Sequence, residues 1–397
     1  MTFTSNKENY FTSQPHQPFF ILGITNAIIM MLIFALSYKG ILSLNMDSLN
    51  LHVYSLVFLV FTNVFTGFLF TTFPRFCQSD VIPKPYYINV FLINASFSFV
   101  FLLGVAFSSS ILIGSMVALF IGQIFIVRKL HQIYKDGRMD VKEDPYWILI
   151  AQYFGLIGHS LFISIELNKY LNISVDLLPL AISLSFYMYI IFLGFSVAQR
   201  MIPFFSHSFE EKSKHFIKTV FILFILKILF IQNDIKLAQI LVDVVLSGYL
   251  LKEFISWKLP MFSSPAILWV LHLALFWLPV SFLISALSLS AELYFDISMY
   301  YLNIHTLAIG FLTTVLIGFG TRVTLGHSGQ APHASTFVTN LFWFIQVVVL
   351  LRVLVSFNIA FAWNLNFLFD ISFTAWIVLF ALWAYKFAKV LIFGAKV

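Results

Sequence analysis

Residues 305–329 read HTLAIGFLTTVLIGFGTRVTLGHSG, an apolar segment that opens on a histidine and closes on a cluster of polar residues. Ionisable side chains at the edge of such a segment are costly in a membrane and often mark a binding site. Small or polar residues recur at every fourth position, namely Thr306, Gly310, Thr314, Gly318, Arg322 and Gly326. This stripe would let another helix or a flat cofactor lie close. Tight helix packing explains the stripe, but it does not explain the flanking His305 and His327.

Composition indicates an integral membrane protein. Hydrophobic residues make up 60% of the 397 residues and charged residues 10%, and the mean hydropathy is +0.94. About twelve apolar runs approach the roughly 20 residues that a helix needs to cross a bilayer. They lie at residues 19–37, 52–73, 86–106, 109–127, 146–165, 177–199, 216–232, 235–251, 266–288, 299–321, 336–357 and 371–394. The sequence therefore predicts an all-α, polytopic transmembrane helical bundle of about twelve spans.

The distribution of cations predicts the topology. If the amino terminus is cytoplasmic, most Lys and Arg residues fall on that side, and the opposite side receives only Lys39, Lys169 and Lys236. The positive-inside rule then places both termini in the cytoplasm and supports an even number of spans. The net charge of +6 is thus a topology signal. It indicates the lipid bilayer as a partner and does not indicate nucleic acid.

The predicted organisation is a single integral membrane domain over residues 1–397, with a polar cytoplasmic leader at 1–18 and the bundle at 19–394. No convincing internal repeat is visible in the sequence. A tight turn is predicted at 232–234, between two short spans. Lys227 and Asp243 lie at similar distances from this turn, so we expect them to meet as an ion pair that offsets their burial. A proton or ion pathway is the alternative explanation for these two charges.

Two histidines and an arginine form the first candidate site. Imidazole is the main haem and copper ligand in a chain with a single cysteine. His52 and His305 begin different spans at the predicted outer face, so together they could hold a haem iron from both sides. Arg352, near the outer end of span eleven, could pair with a haem propionate. The alternatives are hydrogen-bonded contacts between helices for the histidines and snorkelling for the arginine.

The second candidate site lies at the predicted inner face. Arg200 and Arg322 could bind an anion or haem propionates there, and His272 with His327 could bind a metal. Alternatively, the two arginines are only positive-inside anchors. Span ten separates His305 from His327 by about 33 Å, so one metal ion cannot use both.

Several of these residues belong to a family pattern. The segments 305–310 and 322–329 closely resemble the signature of NnrS-family membrane proteins, which are bacterial proteins linked to nitric-oxide stress and containing haem and copper. Further segments agree in order and spacing: Pro18-Phe19-Phe20, His52 with Gly67-Phe68-Leu69 and Pro74, Arg200-Met201-Ile202-Pro203-Phe204-Phe205, and Trp269 with His272. The resemblance implies a bacterial cytoplasmic (inner) membrane protein that binds haem b. It also implies nitric oxide or a related gas as ligand, an electron donor of unknown identity, and a role in nitric-oxide response or detoxification.

The chain departs from the family pattern at the head of span two. Where the family usually has His-x-His-Glu, this chain has His52-Val53-Tyr54-Ser55. Tyr54 and Ser55 cannot reproduce a histidine-carboxylate site, which argues against copper at the outer face.

The alternatives to an NnrS-type protein are a transporter and a haem-copper oxidase or nitric-oxide reductase. A transporter of a small solute or metal ion would use the same histidines without a chromophore. A haem-copper oxidase or nitric-oxide reductase should have more histidine ligands, including adjacent ones, and the chain has no His-His dipeptide. Redox turnover of nitric oxide and binding or sensing alone are both compatible with the residues.

Overall fold

The computed structural model describes residues 9–173, 175–208 and 210–396. Twelve long helices and a short 3-10 helix, Tyr10–Thr12, make up the regular structure of these residues, which contain no strands. They are α1 (His16–Tyr38), α2 (Ser48–Phe76), α3 (Lys84–Phe107), α4 (Ser109–Asp136), α5 (Glu143–Tyr170), α6 (Leu178–Phe205), α7 (Phe216–Gln232), α8 (Lys236–Ser256), α9 (Ala266–Phe295), α10 (Leu302–His327), α11 (Thr336–Ala360) and α12 (Phe367–Phe393). The prediction of an all-α chain with about twelve spans is confirmed.

Ten of these helices, within the described part of the chain, are long and apolar enough to cross a membrane. The other two, α7 and α8, form the hairpin predicted from the sequence. The turn between them places Asp234 in the left-handed region, with φ at 50°. The protein is therefore a multi-pass membrane protein in which two of the twelve helices are less typical spans.

The helices group into two compact units. The first comprises Met1–Pro145, Gly320–Ala331 and Phe380–Val397, and the second comprises Tyr146–Phe319 and Pro332–Leu379. In the first unit α3 packs on α4, and α1 packs on α2. In the second unit α9 packs on α8 and on the beginning of α10.

A pattern of four helices occurs three times along the chain, although the sequence shows no convincing internal repeat. The second helix of each group, α2, α6 or α10, contains a π-helical segment: Ser55–Phe61, Leu184–Ile191 and Thr306–Thr313. These three are also the most buried of the ten spans: the buried share of their most apolar 18-residue stretch is 89%, 83% and 78%, respectively. The repetition lies in the positions of the π segments, each in the second helix of its group.

Polar side chains bond to the backbone of the π segments, where regular α-helical hydrogen bonding is interrupted. In α2 the carbonyl of Leu59 accepts hydrogen bonds from Asn26 Nδ2 at 2.9 Å and Asn63 Nδ2 at 2.8 Å. In α10 the hydroxyl of Thr313 donates to the carbonyl of Ala308, five residues earlier, at 2.9 Å. Buried backbone groups need such partners, so these side chains stabilise the irregular segments.

The small-residue stripe of α10 is a packing surface for α9. A Cβ atom at Gly310 would lie 2.6 Å from the indole of Trp277, and one at Gly318 would lie 2.6 Å from Leu271. The absence of side chains at these glycines therefore lets α9 approach α10 closely. At both positions the stripe serves helix packing. Of the two explanations offered by the sequence, a neighbouring helix or a flat cofactor, this is the simpler.

Candidate functional site

His305 lies at the start of α10, where the backbone geometry fixes the orientation of its ring. Tyr301 adopts the left-handed conformation, with φ at 51°, and precedes the helix. Its carbonyl accepts the backbone N–H of His305 at 3.1 Å and lies 2.8 Å from the Nδ1 atom of the same residue. Because a carbonyl can only accept, Nδ1 carries the hydrogen and the neutral ring presents Nε2 as its basic nitrogen. Metal-ligating histidines are commonly oriented by such a bond.

Arg352 is linked by hydrogen bonds to Tyr300, the residue before Tyr301. Its Nη1 donates to Ser356 Oγ at 2.8 Å, its Nη2 lies 3.5 Å from the carbonyl of Tyr300, and Ser356 Oγ donates to that carbonyl at 2.9 Å. Arg352 and His305 therefore bond to consecutive residues of one loop in the second unit. The structure brings together these two members of the first predicted site. A guanidinium here could bind a carboxylate of a ligand held by His305.

His52 belongs to the first unit, on α2. Its half-buried ring packs on Phe34, with ring centres 4.2 Å apart and planes 35° from parallel. His52 lies shortly before the π segment that begins at Ser55, and His305 lies directly before the π segment of α10. His52 therefore lies three residues before its π segment, and His305 lies one residue before its own. At the same distances before the π segment of the second group stand Ala181 and Ser183.

The two residues that replace family ligand types have packing roles. The fully buried Tyr54 stacks on Phe101 of α3, with ring centres 5.1 Å apart and planes 21° from parallel. The Ser55 hydroxyl donates to the backbone carbonyl of His52 at 3.4 Å. Tyr54 thus helps to join α2 to α3, and Ser55 supports the turn that carries His52.

His272 makes a hydrogen bond between two helices in the second unit. Its Nε2 lies 2.6 Å from the hydroxyl of Ser206, which itself donates to the carbonyl of Ile202 at 2.8 Å. The imidazole tautomer decides which of the two atoms is the donor in the His272–Ser206 bond. His272 thus fastens α9 to the end of α6, the simpler role considered for a buried histidine. Arg200, on α6, is half-buried in the same unit.

His327 ends α10 in the first unit, where its ring centre lies 4.9 Å from that of His16. Arg322 is half-buried in the preceding part of the helix. His16 falls in the leader predicted from the sequence, since the first predicted span begins at residue 19, and its contact with His327 was not predicted. Pro18 was the available signal, since proline is favoured in the first turn of a helix, and α1 begins at His16.

Among residues 9–173, 175–208 and 210–396, no three His, Cys, Asp or Glu side chains are placed to hold a metal ion together. A metal site in this part of the chain must therefore rely on one or two such side chains and be completed by a cofactor, solvent or another ligand. Haem iron meets this description, since the porphyrin supplies the remaining nitrogen ligands.

Comparison with known proteins identifies the family. The family model described as NnrS protein matches residues 10–393 and so includes every candidate residue discussed above. No curated protein matches the chain. A match over nearly the entire length shows that the chain belongs to the NnrS family.

Proposed function

We propose that this protein lies in the bacterial cytoplasmic membrane, with both termini in the cytoplasm, and binds haem b for response to, or detoxification of, nitric oxide. Membership of the NnrS family supports the role in nitric-oxide stress. The observation that carries the haem assignment is the bond from His305 Nδ1 to the Tyr301 carbonyl. This bond fixes the ring tautomer with the hydrogen on Nδ1, as is common in metal-ligating histidines.

His305 and Arg352 are suitable residues for holding a haem group. His305 would ligate the iron through Nε2, and Arg352 would pair with a propionate from its anchored position on the same loop. The sequence analysis predicts His52 as a further residue that would hold the haem. When bound, the haem supplies an iron that can bind nitric oxide or exchange an electron. Turnover would need an electron donor, whereas binding or sensing would not.

Copper at the head of α2 forms no part of this proposal, because Tyr54 and Ser55 have packing roles there. His272 and His327 remain candidate metal ligands, and Arg200 and Arg322 remain candidate anion-binding groups. His272 is the weaker metal candidate of the two, because Ser206 occupies its Nε2.

An optical spectrum of the detergent-purified protein, oxidised and then reduced with dithionite, tests the proposal. Metal analysis is done on the same sample. We expect a Soret band and one haem per chain from haem-replete cells, with the band lost in His305→Ala and His52→Ala. The matched control is His333→Ala, because His333 is exposed in a loop and has no assigned role.

Each other result has a definite meaning. Bands that survive in both variants but disappear in His272→Ala or His327→Ala would move the haem to the second predicted site. A colourless, metal-free wild-type protein would overturn the haem proposal and favour a transporter, since a transporter needs no chromophore.

A further inference from the structure

His16 and His327 form a close pair of imidazoles in the first unit. Their ring centres are 4.9 Å apart and their planes are inclined by 45°. His16 begins α1 and His327 ends α10, so the fold brings together two residues that lie far apart in the sequence. The two rings are therefore tilted and do not stack in parallel.

His16 is buried with an unsatisfied nitrogen. Its side chain is 1% exposed, and its Nδ1 atom has no hydrogen-bond partner among the described residues. A buried polar atom without a partner costs on the order of 1–3 kcal/mol. Native structures seldom retain such an atom without a reason, and an unseen ion or solvent molecule is a common one.

The surroundings hold the His16 ring in place. Gly67 of α2 lies under the first turn of α1, where a Cβ atom would come within 3.2 Å of His16 Cα and 2.9 Å of Phe19 Cβ. The ring of Phe20 meets His16 edge-on, with ring centres 5.7 Å apart. Close backbone packing at Gly67 and the Phe20 ring thus fix His16 beside His327. A preorganised ring of this kind suits a ligand-binding role.

The spacing of the pair is that of neighbouring ligands on one ion. Imidazole nitrogen binds zinc at about 2.0–2.1 Å, which places the ring centres of two tetrahedral ligands about 5 Å apart. Two imidazoles on opposite sides of an ion would have ring centres about 6 Å apart at the same bond length. The observed 4.9 Å therefore fits ligands at a tetrahedral angle. It does not fit a bis-histidine haem.

The chemistry of the pair selects the class of ion. Imidazole is a good ligand for zinc, copper, nickel and iron, whereas magnesium and calcium prefer oxygen. Arg75, in the last turn of α2, acts electrostatically on His327. A cation held here would therefore gain from a negatively charged exogenous ligand at its open positions, which offsets the arginine charge.

We propose that His16 and His327 together bind one transition-metal ion of the imidazole-binding class, with solvent or an anion completing its coordination. The proposal pairs His327 with His16 and uses only residues of the first unit. It does not depend on haem at His305.

Equilibrium dialysis of the full-length, detergent-purified protein against Zn²⁺, after treatment with a chelator, measures the binding. Either His16→Ala or His327→Ala should remove one Zn²⁺ per chain or weaken its binding at least about tenfold. His333→Ala serves as the matched control and should leave the binding unchanged. The Soret band recorded on each sample reports haem separately, so that failure of the metal site and failure of the haem proposal are distinguishable.

Unchanged Zn²⁺ binding in both variants would overturn the proposal. If either variant does not fold, the wild-type protein provides the test. Modification of His327, the more exposed residue of the pair, by diethyl pyrocarbonate should be slowed by Zn²⁺, with His333 as the internal reference; mass spectrometry reads the result. Equal modification of His327 with and without Zn²⁺ would also overturn the proposal.

Discussion

Lys227 and Asp243 form a salt bridge in the second unit, with Nζ 2.6 Å from Oδ1 and 2.8 Å from Oδ2. The lysine is 1% exposed and the aspartate 0% exposed. The ion pair predicted from the hairpin of α7 and α8 is confirmed. Ser285 of α9 also donates to Asp243, at 2.6 Å. The carboxylate therefore ties together three helices.

Removing one charge from this pair should destabilise the protein strongly. In Asp243→Asn, the ammonium of Lys227 stays buried without a counter-charge, a situation that costs about 3–5 kcal/mol. We expect a marked fall in the thermal unfolding midpoint of the detergent-solubilised protein. The double variant Lys227→Met with Asp243→Leu should recover much of the loss, because it buries no charge.

The control for this prediction is Lys236→Gln, which breaks a pair with Glu292 whose side chains are 33% and 37% exposed. Exposed pairs contribute little, so the midpoint should hardly move. An Asp243→Asn variant as stable as Lys236→Gln would mean that the buried pair is not ionised or is not structural.

The sequence was sufficient to predict the helices, because each span is an apolar run bounded by charged or turn-forming residues. The Lys227–Asp243 pair was equally predictable, since the short turn between α7 and α8 fixes which residues face each other. Both predictions depend on local patterns and on the cost of burying charge, and both of these can be evaluated from residue order alone.

The π segments and the His16–His327 contact were not predictable in the same way. The Leu59 carbonyl accepts hydrogen bonds from Asn26 of α1 and Asn63 of α2. No local sequence pattern in residues 55–61 predicts these bonds. His16 meets His327 only because the fold brings the ends of α1 and α10 together. Such features depend on tertiary contacts between distant residues, which residue periodicity does not encode.

The amide network around the π segment of α2 makes a second prediction. Asn63 donates to the Leu59 carbonyl and accepts from Asn94 Nδ2 at 2.9 Å. In Asn63→Leu, the buried Asn94 Nδ2 loses its acceptor, which costs about 1–3 kcal/mol, and the Leu59 carbonyl keeps only its bond from Asn26. We expect faster hydrogen exchange in residues 55–61 and a lower unfolding midpoint.

Asn233 provides the comparison for this variant. Its side chain makes the same type of bond, to the carbonyl of Leu229 at 2.8 Å, but in an exposed turn where water can replace it. Asn233→Leu should therefore leave both measurements nearly unchanged. Equal effects of the two substitutions would show that the network adds nothing to the π segment.

Glycines of α10 make a third prediction. In Gly310→Ala the new methyl group would lie 2.6 Å from the Trp277 indole, a rigid ring, so α9 and α10 must separate. Overpacking of this kind costs about 1–3 kcal/mol. We expect a lower unfolding midpoint and less bound haem, because His305 begins the same helix.

Gly326→Ala is the matched substitution, since nothing lies within 4 Å of the added Cβ atom. Alanine is the better helix former by roughly 0.5–1 kcal/mol. This variant should be neutral or slightly more stable. A Gly310→Ala protein that behaves like Gly326→Ala would contradict the packing role given to the stripe.

Arg352 makes the last prediction, which separates its role from that of His305. If its guanidinium pairs with a haem propionate, Arg352→Gln should weaken haem binding about tenfold or more, because hydrogen bonds to charged groups contribute roughly 1.5–3 kcal/mol. The iron ligands would remain, so the Soret band should keep its position while haem per chain falls under dilute conditions. Arg128→Gln, at an exposed site on α4, is the control. Full haem retention in Arg352→Gln, alongside loss in His305→Ala, would restrict Arg352 to holding Tyr300 and Ser356 in place.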